Sequence, residues 1–495
     1  MSYAESTNNG LQPPQVVPVP TSTSSPRRPI SPVLVSEKSG IVIFSGGSAA
    51  NSLVDVFEHV REANKCALSY VIPISDNGGS TSEIIRVFGG PGIGDVRSRL
   101  VRLIPQSTNV ETTAIRNLFN HRLPKDDTAR TEWFSIIEAT HSLWNNISSP
   151  KRELIRSIFN SFNLEVVKRM RPSSRFDFSG ASIGNLFLTG ARLFTGSFEA
   201  GIYLLSSICG VPEGVHVLPA LNTNFAHHIA AGLEDGTVIT GQNDISHPSV
   251  PTAAVPWTGA STGVATPNPS SETEDHDKVE DANLPGSLPA LRRPAIAFSK
   301  EDEEDLPWRI DRLWYINPYG QEIRIPANPR VLEALRGANT IIYSIGSLFT
   351  SLIPNLVLKG VGDAICSPQM RNKILLLNGT TDRETGPSDR PFTGVDFVAA
   401  IANACADSRG VGRPVEGDYW KYVSHVVYIE GPAAPSVDRG KFSALGIDTT
   451  RLYGPKHEPG RGGRYDHTAL RQTLESIIGR KDARQDRSRR NTLVG

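Results

Sequence analysis

The chain has 495 residues, with 51 Lys and Arg against 51 Asp and Glu. No global field therefore draws it to nucleic acid or to an anionic membrane, and any anion site must be local. Four dispersed cysteines, Cys66, Cys209, Cys366 and Cys405, form no C-x-x-C pair, which argues against a disulfide framework or a zinc site. No apolar run reaches the ~18–20 residues that span a bilayer, and the N-terminus lacks a signal peptide's apolar core. A cytoplasmic protein is expected, with the nucleus also open to it.

Residues 1–38 are rich in Pro, Ser and Thr and offer too little apolar surface to offset the entropy of ordering, so they are expected to be a disordered tail. From residue 39 an α/β pattern begins and runs to about 470. Strand-like apolar runs lie at 41–44, 69–74, 215–219, 340–345, 373–377 and 423–429, with helical patterns at 52–63, 184–208 and 355–365. Apolar runs without strict alternation, separated by helices, predict an α/β fold with a doubly wound, mostly parallel sheet covered on both faces. Residues 115–171 predict successive helices, an excursion from the sheet. Asp235-Gly236, between two strand-like halves of 229–241, predicts a hairpin. The acidic, Pro-rich stretch 247–307 is expected to be a disordered insertion, and the basic stretch 478–495 a C-terminal tail. His227 and His228 are adjacent and would point to opposite faces of an extended segment, so joint metal ligation is not expected.

In a parallel sheet, ligands bind beyond the carboxyl ends of the strands. Four of those ends share one composition. The first runs into Ser45, Gly46, Gly47 and Ser48, and the second into Asp76, Asn77, Gly78, Gly79 and Ser80. The third opens with Gly346, Ser347, Thr350 and Ser351, and the fourth with Asn378, Gly379, Thr380 and Thr381. Glycines let backbone approach a phosphate, and helix N-termini supply free N–H donors. Each cluster alone would serve as a helix cap; four together point to a phosphate site. Between the second and third lies "PGIGDVRSRL", with Asp95 and Arg97 at the opening of a helix. Convergence of Asp76 and Asp95 would supply the hard oxygen ligands of a magnesium ion shared with substrate phosphates.

At these loops the sequence resembles the 2-phospho-L-lactate transferase (CofD-like) and gluconeogenesis-factor (YvcK-like) family. The resemblance rests on "FSGGSAAN", "SDNGGSTSEIIR", "GIGDVRSRLVRL", "IGNLFLTGARLFTGSFEAGI", "DGTVITGQNDIS", "NPRVLEALRGANTIIYSIGSLFTSLIPNLVLKGVGDAI" and "LLLNGTTDRETG", in the family's order over roughly 40–430. It implies a Rossmann-like fold whose strand-end loops bind a nucleotide-diphospho or nucleotide-sugar ligand. In transferase members magnesium assists transfer of phospholactate from a guanosine diphospho donor; gluconeogenesis-factor members bind UDP-N-acetylglucosamine and regulate. The resemblance implies that Asp76 and Asp95 are the catalytic and metal-holding acids, and it adds Asn185 of "IGNL" to the site. The family's usual "GGGTG" first loop is here "GGSAA", so a glycine and a hydroxyl are lost at Ser48 and Ala49. The Pro-rich and acidic segments suggest a eukaryotic, fungal-type member. Neither a nucleic-acid nor a membrane partner is expected, and a homodimer is allowed.

Overall fold

The computed structural model describes residues 40–46, 49–75, 78, 80–105, 109–170, 175–246, 288, 291, 305–454 and 463–479. The N-terminal stretch 1–38, nearly all of the acidic insertion and the basic C-terminal stretch fall largely outside them.

Among the described residues eleven strands form two sheets. In chain order they are β1 (Gly40–Phe44), β2 (Leu68–Ile72), β3 (Val215–Pro219), β4 (His228–Leu233), β5 (Val238–Thr240), β6 (Ile310–Ile316), β7 (Glu322–Ile323), β8 (Ala338–Tyr343), β9 (Asn372–Leu376), β10 (His425–Ile429) and β11 (Asp448–Leu452). Seven of them make one parallel sheet in the order β11-β10-β9-β8-β1-β2-β3. Its central strands are buried along nearly their whole length, which is why they appear as continuous Val, Ile and Leu runs rather than alternating ones. The other four form an antiparallel sheet in the order β5-β4-β6-β7.

The expected fold class is the one observed, with adjusted boundaries. The second strand ends at Ile72, before Pro73, because proline has no N–H to give the ladder. The single helix expected over 184–208 is two helices, separated at Gly196, whose φ of 71° is left-handed, and at Ser197, whose hydroxyl accepts from the Ala200 amide. The helix expected over 355–365 is likewise broken, at Gly360 (φ 91°), into Ile353–Leu356 and Val361–Ile365. The Asp235-Gly236 hairpin joins β4 to β5.

Eight helices accompany the first half of the sheet: α1 (Val54–Asn64), α2 (Ser80–Phe88), α3 (Gly94–Arg102), α4 (Val110–Asn120), α5 (Ala129–Ile137), α6 (Ser149–Arg169), α7 (Ile183–Thr195) and α8 (Phe198–Cys209). Helices α4 to α7 close around an aromatic core in which Trp133 packs edge-on to Phe159 and Phe162 and is stacked with Phe178. Each such pair adds roughly 0.5–1.5 kcal/mol beyond its burial. The core carries α7 against α6, where Gly190 brings the helices so close that a Cβ there would sit 2.8 Å from the Ile158 carbonyl oxygen. The start of α7 is pinned separately: the Ile183 amide donates to the His121 carbonyl at 3.0 Å, and Arg122 bridges Ser182. His121 in turn is bonded through Nε2 to Glu132 of α5. The N-terminus of α7, with Asn185, is thereby held at a fixed position against α3.

Candidate functional site

The parallel sheet reverses its strand order between β1 and β8: β2 and β3 extend one way, β9, β10 and β11 the other. Loops leaving neighbouring strands at such a point diverge, and the crevice between them is where this class of sheet binds ligands. At its floor the ladder continues one residue past the strands, with the Ser45 amide donating to Val71 O at 3.1 Å and the Ser344 amide to Phe44 O at 3.0 Å.

One wall is built by the loops after β8 and β9. Gly346 has φ 141°, a backbone shape that side chains disfavour. Its N–H donates to Asn378 Oδ1 at 3.0 Å, and Asn378 Nδ2 donates back to Gly346 O at 2.8 Å, so one amide side chain clamps both loops. Ser347 then caps a π-helical turn, Leu348–Leu352, that runs into the helix Ile353–Leu356. Gly46 meets this turn closely: a Cβ on Gly46 would lie 2.9 Å from Ser351 Cβ. Beneath it the buried Glu384 carboxylate accepts from the Phe349 amide at 2.8 Å, the Thr350 amide at 3.0 Å and the Thr350 hydroxyl at 2.5 Å. Burial, with Asp382 beside it, pushes the Glu384 carboxyl up to about 8. The helix-terminus donors that sequence alone offers to a phosphate are thus already taken here by an internal acid, and Thr350 belongs to that internal network.

The opposite wall comes from α2, α3 and α7. Asp76, Asn77 and Gly79, with Gly47 and Ser48 of the first loop, lie outside the described residues. Gly78 is half-buried, and Ser80 opens α2. Asp95 sits in the first turn of α3. Arg97, two residues on, is 9% exposed and donates Nε to Asn185 Oδ1 at 3.2 Å. Gly184 makes this contact possible, because a Cβ there would lie 2.8 Å from Arg97 Cδ and 2.7 Å from the Phe119 carbonyl oxygen. The loop entering α3 is held by Arg192 of α7, which donates to Phe88 O at 3.2 Å, Gly89 O at 3.0 Å and Asn224 O at 3.3 Å. Gly90, at φ 96°, leaves room for that guanidinium.

Electrostatically the wall is lopsided. Burial, and then the neighbouring Arg122, pull the Arg97 guanidinium down to about 10, against a smaller opposing pull from Asp95. Arg102 at the end of α3 pairs with Asp55 at 2.7 Å, whereas among the described residues no carboxylate lies within ion-pair distance of Arg97 or Arg99. The hydroxyls of Ser75, Ser182 and Ser344, at the end of β2, the start of α7 and the end of β8, are buried and have no hydrogen-bond partner. Such orphaned groups are rare in folded proteins, and each calls for a ligand, an ion or a water. Among the described residues no group of three His, Cys, Asp or Glu side chains can hold a metal by itself. Asp95 is a hard oxygen donor of the kind that shares a magnesium ion with phosphates.

Sequence reasoning passes over Glu384, Gly184 and Arg99. The last was detectable, since Val96, Arg99, Leu100 and Leu103 form one helical stripe in which a single position is charged, and all four are buried. Glu384 carried no such signal. Its partners lie 34 and 35 residues away along the chain.

Three comparisons bear on what this site belongs to. The family profile described as 2-phospho-L-lactate transferase CofD matches residues 41–440. The Saccharomyces cerevisiae protein YNL011C is 40% identical over 412 residues, covering 79% of this chain and 90% of that one. A gluconeogenesis factor of Halalkalibacterium halodurans is 24% identical over 422 residues, covering 84% and 90%. Among solved structures, a Bacillus halodurans protein of the UPF0052 family aligns over 88% of this chain and 98% of its own with a TM-score of 0.53 at 20% identity, a likeness of fold. With four-fifths of the chain under the profile and a close fungal relative beside it, the chain belongs to the CofD family.

Proposed function

We propose that the chain binds the diphosphate of a nucleotide-containing ligand in the crevice between β1 and β8, with Arg97 as its principal cation. The observation that carries this reading is Arg97 itself, drawn out of water beside a second cation and, among the described residues, without a carboxylate partner. Asn185 engages Nε and leaves the two terminal NH2 groups for a phosphate, which a guanidinium meets in a bidentate way. Backbone at Gly46, Gly78, Gly346 and Ser347 lines the crevice, and Gly47, Ser48, Asn77, Gly79 and Ser80 complete the expected cradle.

In the enzymatic form of this reading the chain is a transferase that moves a phospho group from the nucleotide-diphospho donor to an acceptor hydroxyl. Asp76 and Asp95 would hold a magnesium ion, which supplies neutralisation of charge on the departing diphosphate. Arg97 adds fixed positive charge on the same side, and the rigid α3–α7 contact keeps it in place, a mechanism of positioning and electrostatics. A second reading, a non-catalytic nucleotide-sugar-binding regulator of carbon metabolism or morphogenesis with a UDP-N-acetylglucosamine-like ligand, is favoured by the relatives named gluconeogenesis factor.

A thermal-shift series with UDP, GDP and UDP-N-acetylglucosamine, each with and without magnesium, separates them. A ligand at 100 times its Kd stabilises the fold by about 2.7 kcal/mol. Magnesium-dependent stabilisation that Asp95→Asn abolishes supports the transferase. Stabilisation by the nucleotide sugar that ignores both magnesium and Asp95→Asn supports the regulator. If none of the three raises the melting temperature, diphosphate binding is wrong.

A further inference from the structure

Arg99 is 1% exposed and lies one helical turn after Asp95 on α3. Its guanidinium spans the base of the first strand-end loop. Nη2 donates to Ser45 Oγ at 3.2 Å, where the loop leaves β1, and Nη1 donates to Ala50 O at 3.3 Å, where the 3-10 turn Ala49–Leu53 receives it. Both are long for N–H···O bonds. Nε has no partner, and the Tyr70 ring lies 4.7 Å below, its own hydroxyl buried and unpartnered. A full charge is thus held out of water by one neutral hydroxyl, one carbonyl and one ring face.

Packing alone does not explain this side chain. Val96, Leu100 and Val101 on the same helix are buried apolar residues, and an apolar residue at 99 would continue their stripe without the desolvation cost of an unpaired cation. Neither do internal ion pairs explain it. Asp95 is the acid that acts on Arg99, and no carboxylate among the described residues touches it. What Arg99 does touch is both ends of the loop in which this chain lacks the third glycine and the threonine of the family's usual sequence.

We propose that Arg99 is a positioning residue for the ligand: a buried, permanently charged support that fixes both ends of the first strand-end loop and raises the positive potential above it, where the diphosphate lies. The inference rests on the diphosphate reading of the crevice. It assigns to a residue beneath the loop part of the attraction that a glycine-rich loop would supply through its own N–H groups. Because the charge costs stability and serves binding, the two properties respond in opposite directions when it is removed.

The test uses the full chain and isothermal titration with UDP and GDP in the presence of magnesium, alongside melting temperatures without ligand. Arg99→Met is expected to melt at or above wild type while its Kd rises about tenfold, the scale of one charge acting through a protein's effective dielectric. Arg99→Lys keeps a charge that titrates, because burial lowers a lysine's pKa; its affinity is expected to approach wild type at low pH and to fall as pH rises, while wild-type affinity stays flat. An Arg99→Met protein that binds like wild type overturns the proposal, whatever its stability. Should that variant fail to fold, a pH-independent Kd for Arg99→Lys overturns it instead. Wild type binding neither nucleotide removes the diphosphate reading and this inference together, whereas wild-type binding with unaltered variants removes only this one.

Discussion

The two walls of the crevice are built from the same kinds of residue and treat them oppositely. On the β8–β9 side the loop groups, the Ser344 hydroxyl excepted, have internal answers: Glu384 takes the free amides of the π turn and Asn378 binds Gly346 in both directions. On the α3 side Arg97 and Arg99 are buried with no carboxylate partner among the described residues, and the Ser75 and Ser182 hydroxyls have no partner. A wall that satisfies itself is a scaffold. A wall left with uncompensated positive charge has chemistry that suits an anion, and on the reading proposed above this is the side that would meet the diphosphate.

The comparison is most strongly broken on its self-satisfied side. Glu384→Ala leaves two buried amides and a hydroxyl without an acceptor and is expected to destabilise the fold by about 4 kcal/mol in a urea titration, while Glu384→Gln, which keeps a carbonyl acceptor for the two amides, is expected to recover most of the loss near pH 7. The same pair tests the acid's ionisation. Its carboxyl is raised from 4.5 to about 8 by burial and by Asp382, so the folded state favours the protonated form. Its contribution to stability is full below about pH 4.5 and is lost as pH climbs through about 8, a slope that Glu384→Gln is expected to remove.

On the uncompensated side the expected signature is reversed. Arg97→Met is expected to raise the Kd for a nucleotide diphosphate about 100-fold, roughly 2.7 kcal/mol, with little change in melting temperature. If stability collapses and affinity survives, the walls have been assigned the wrong way round. Gly46→Ala probes where they meet: the new Cβ would lie 2.9 Å from Ser351 Cβ, and a loss of about 2 kcal/mol is expected, largely recovered by adding Ser351→Gly. The smallest effect belongs to an exposed ion pair. Arg413 pairs with Asp311 at 2.6 Å on an exposed face, and Arg413→Ala is expected to cost about 0.5 kcal/mol or less.

The sequence made the strand ends legible because they combine two independent signals, a run of buried β-branched residues and an abrupt shift to Gly, Ser and Asn. The strand β11 was not legible. Its "DTTRL" is exposed or half-buried except at Leu452, as an edge strand can be, and it therefore lacks the apolar run by which the others were found. The pairing that completes the antiparallel sheet was not legible beyond its hairpin, because β4 pairs with β6 some 80 residues later and such pairing leaves no local trace. Arg97 was singled out as a site residue, yet its burial depends on Gly184 of another helix, whose lack of a side chain leaves room for it. What sequence could not supply was the partition of similar residues into satisfied and unsatisfied ones, since that depends on contacts across 34 to 88 positions.

The antiparallel sheet has a consequence for how the gene can change. Strand β4 is flanked by β5 on one side and β6 on the other, so the chain leaves the sheet after β5 and rejoins it at β6 roughly 14 Å away, two inter-strand spacings across and three residues along. The ends of the intervening segment are therefore tethered by the sheet whatever lies between them. Closing a flexible loop costs only about 0.6 kcal/mol more for each doubling of its length. An insertion at this junction is therefore expected to cost little stability and to leave the crevice on the parallel sheet unaltered.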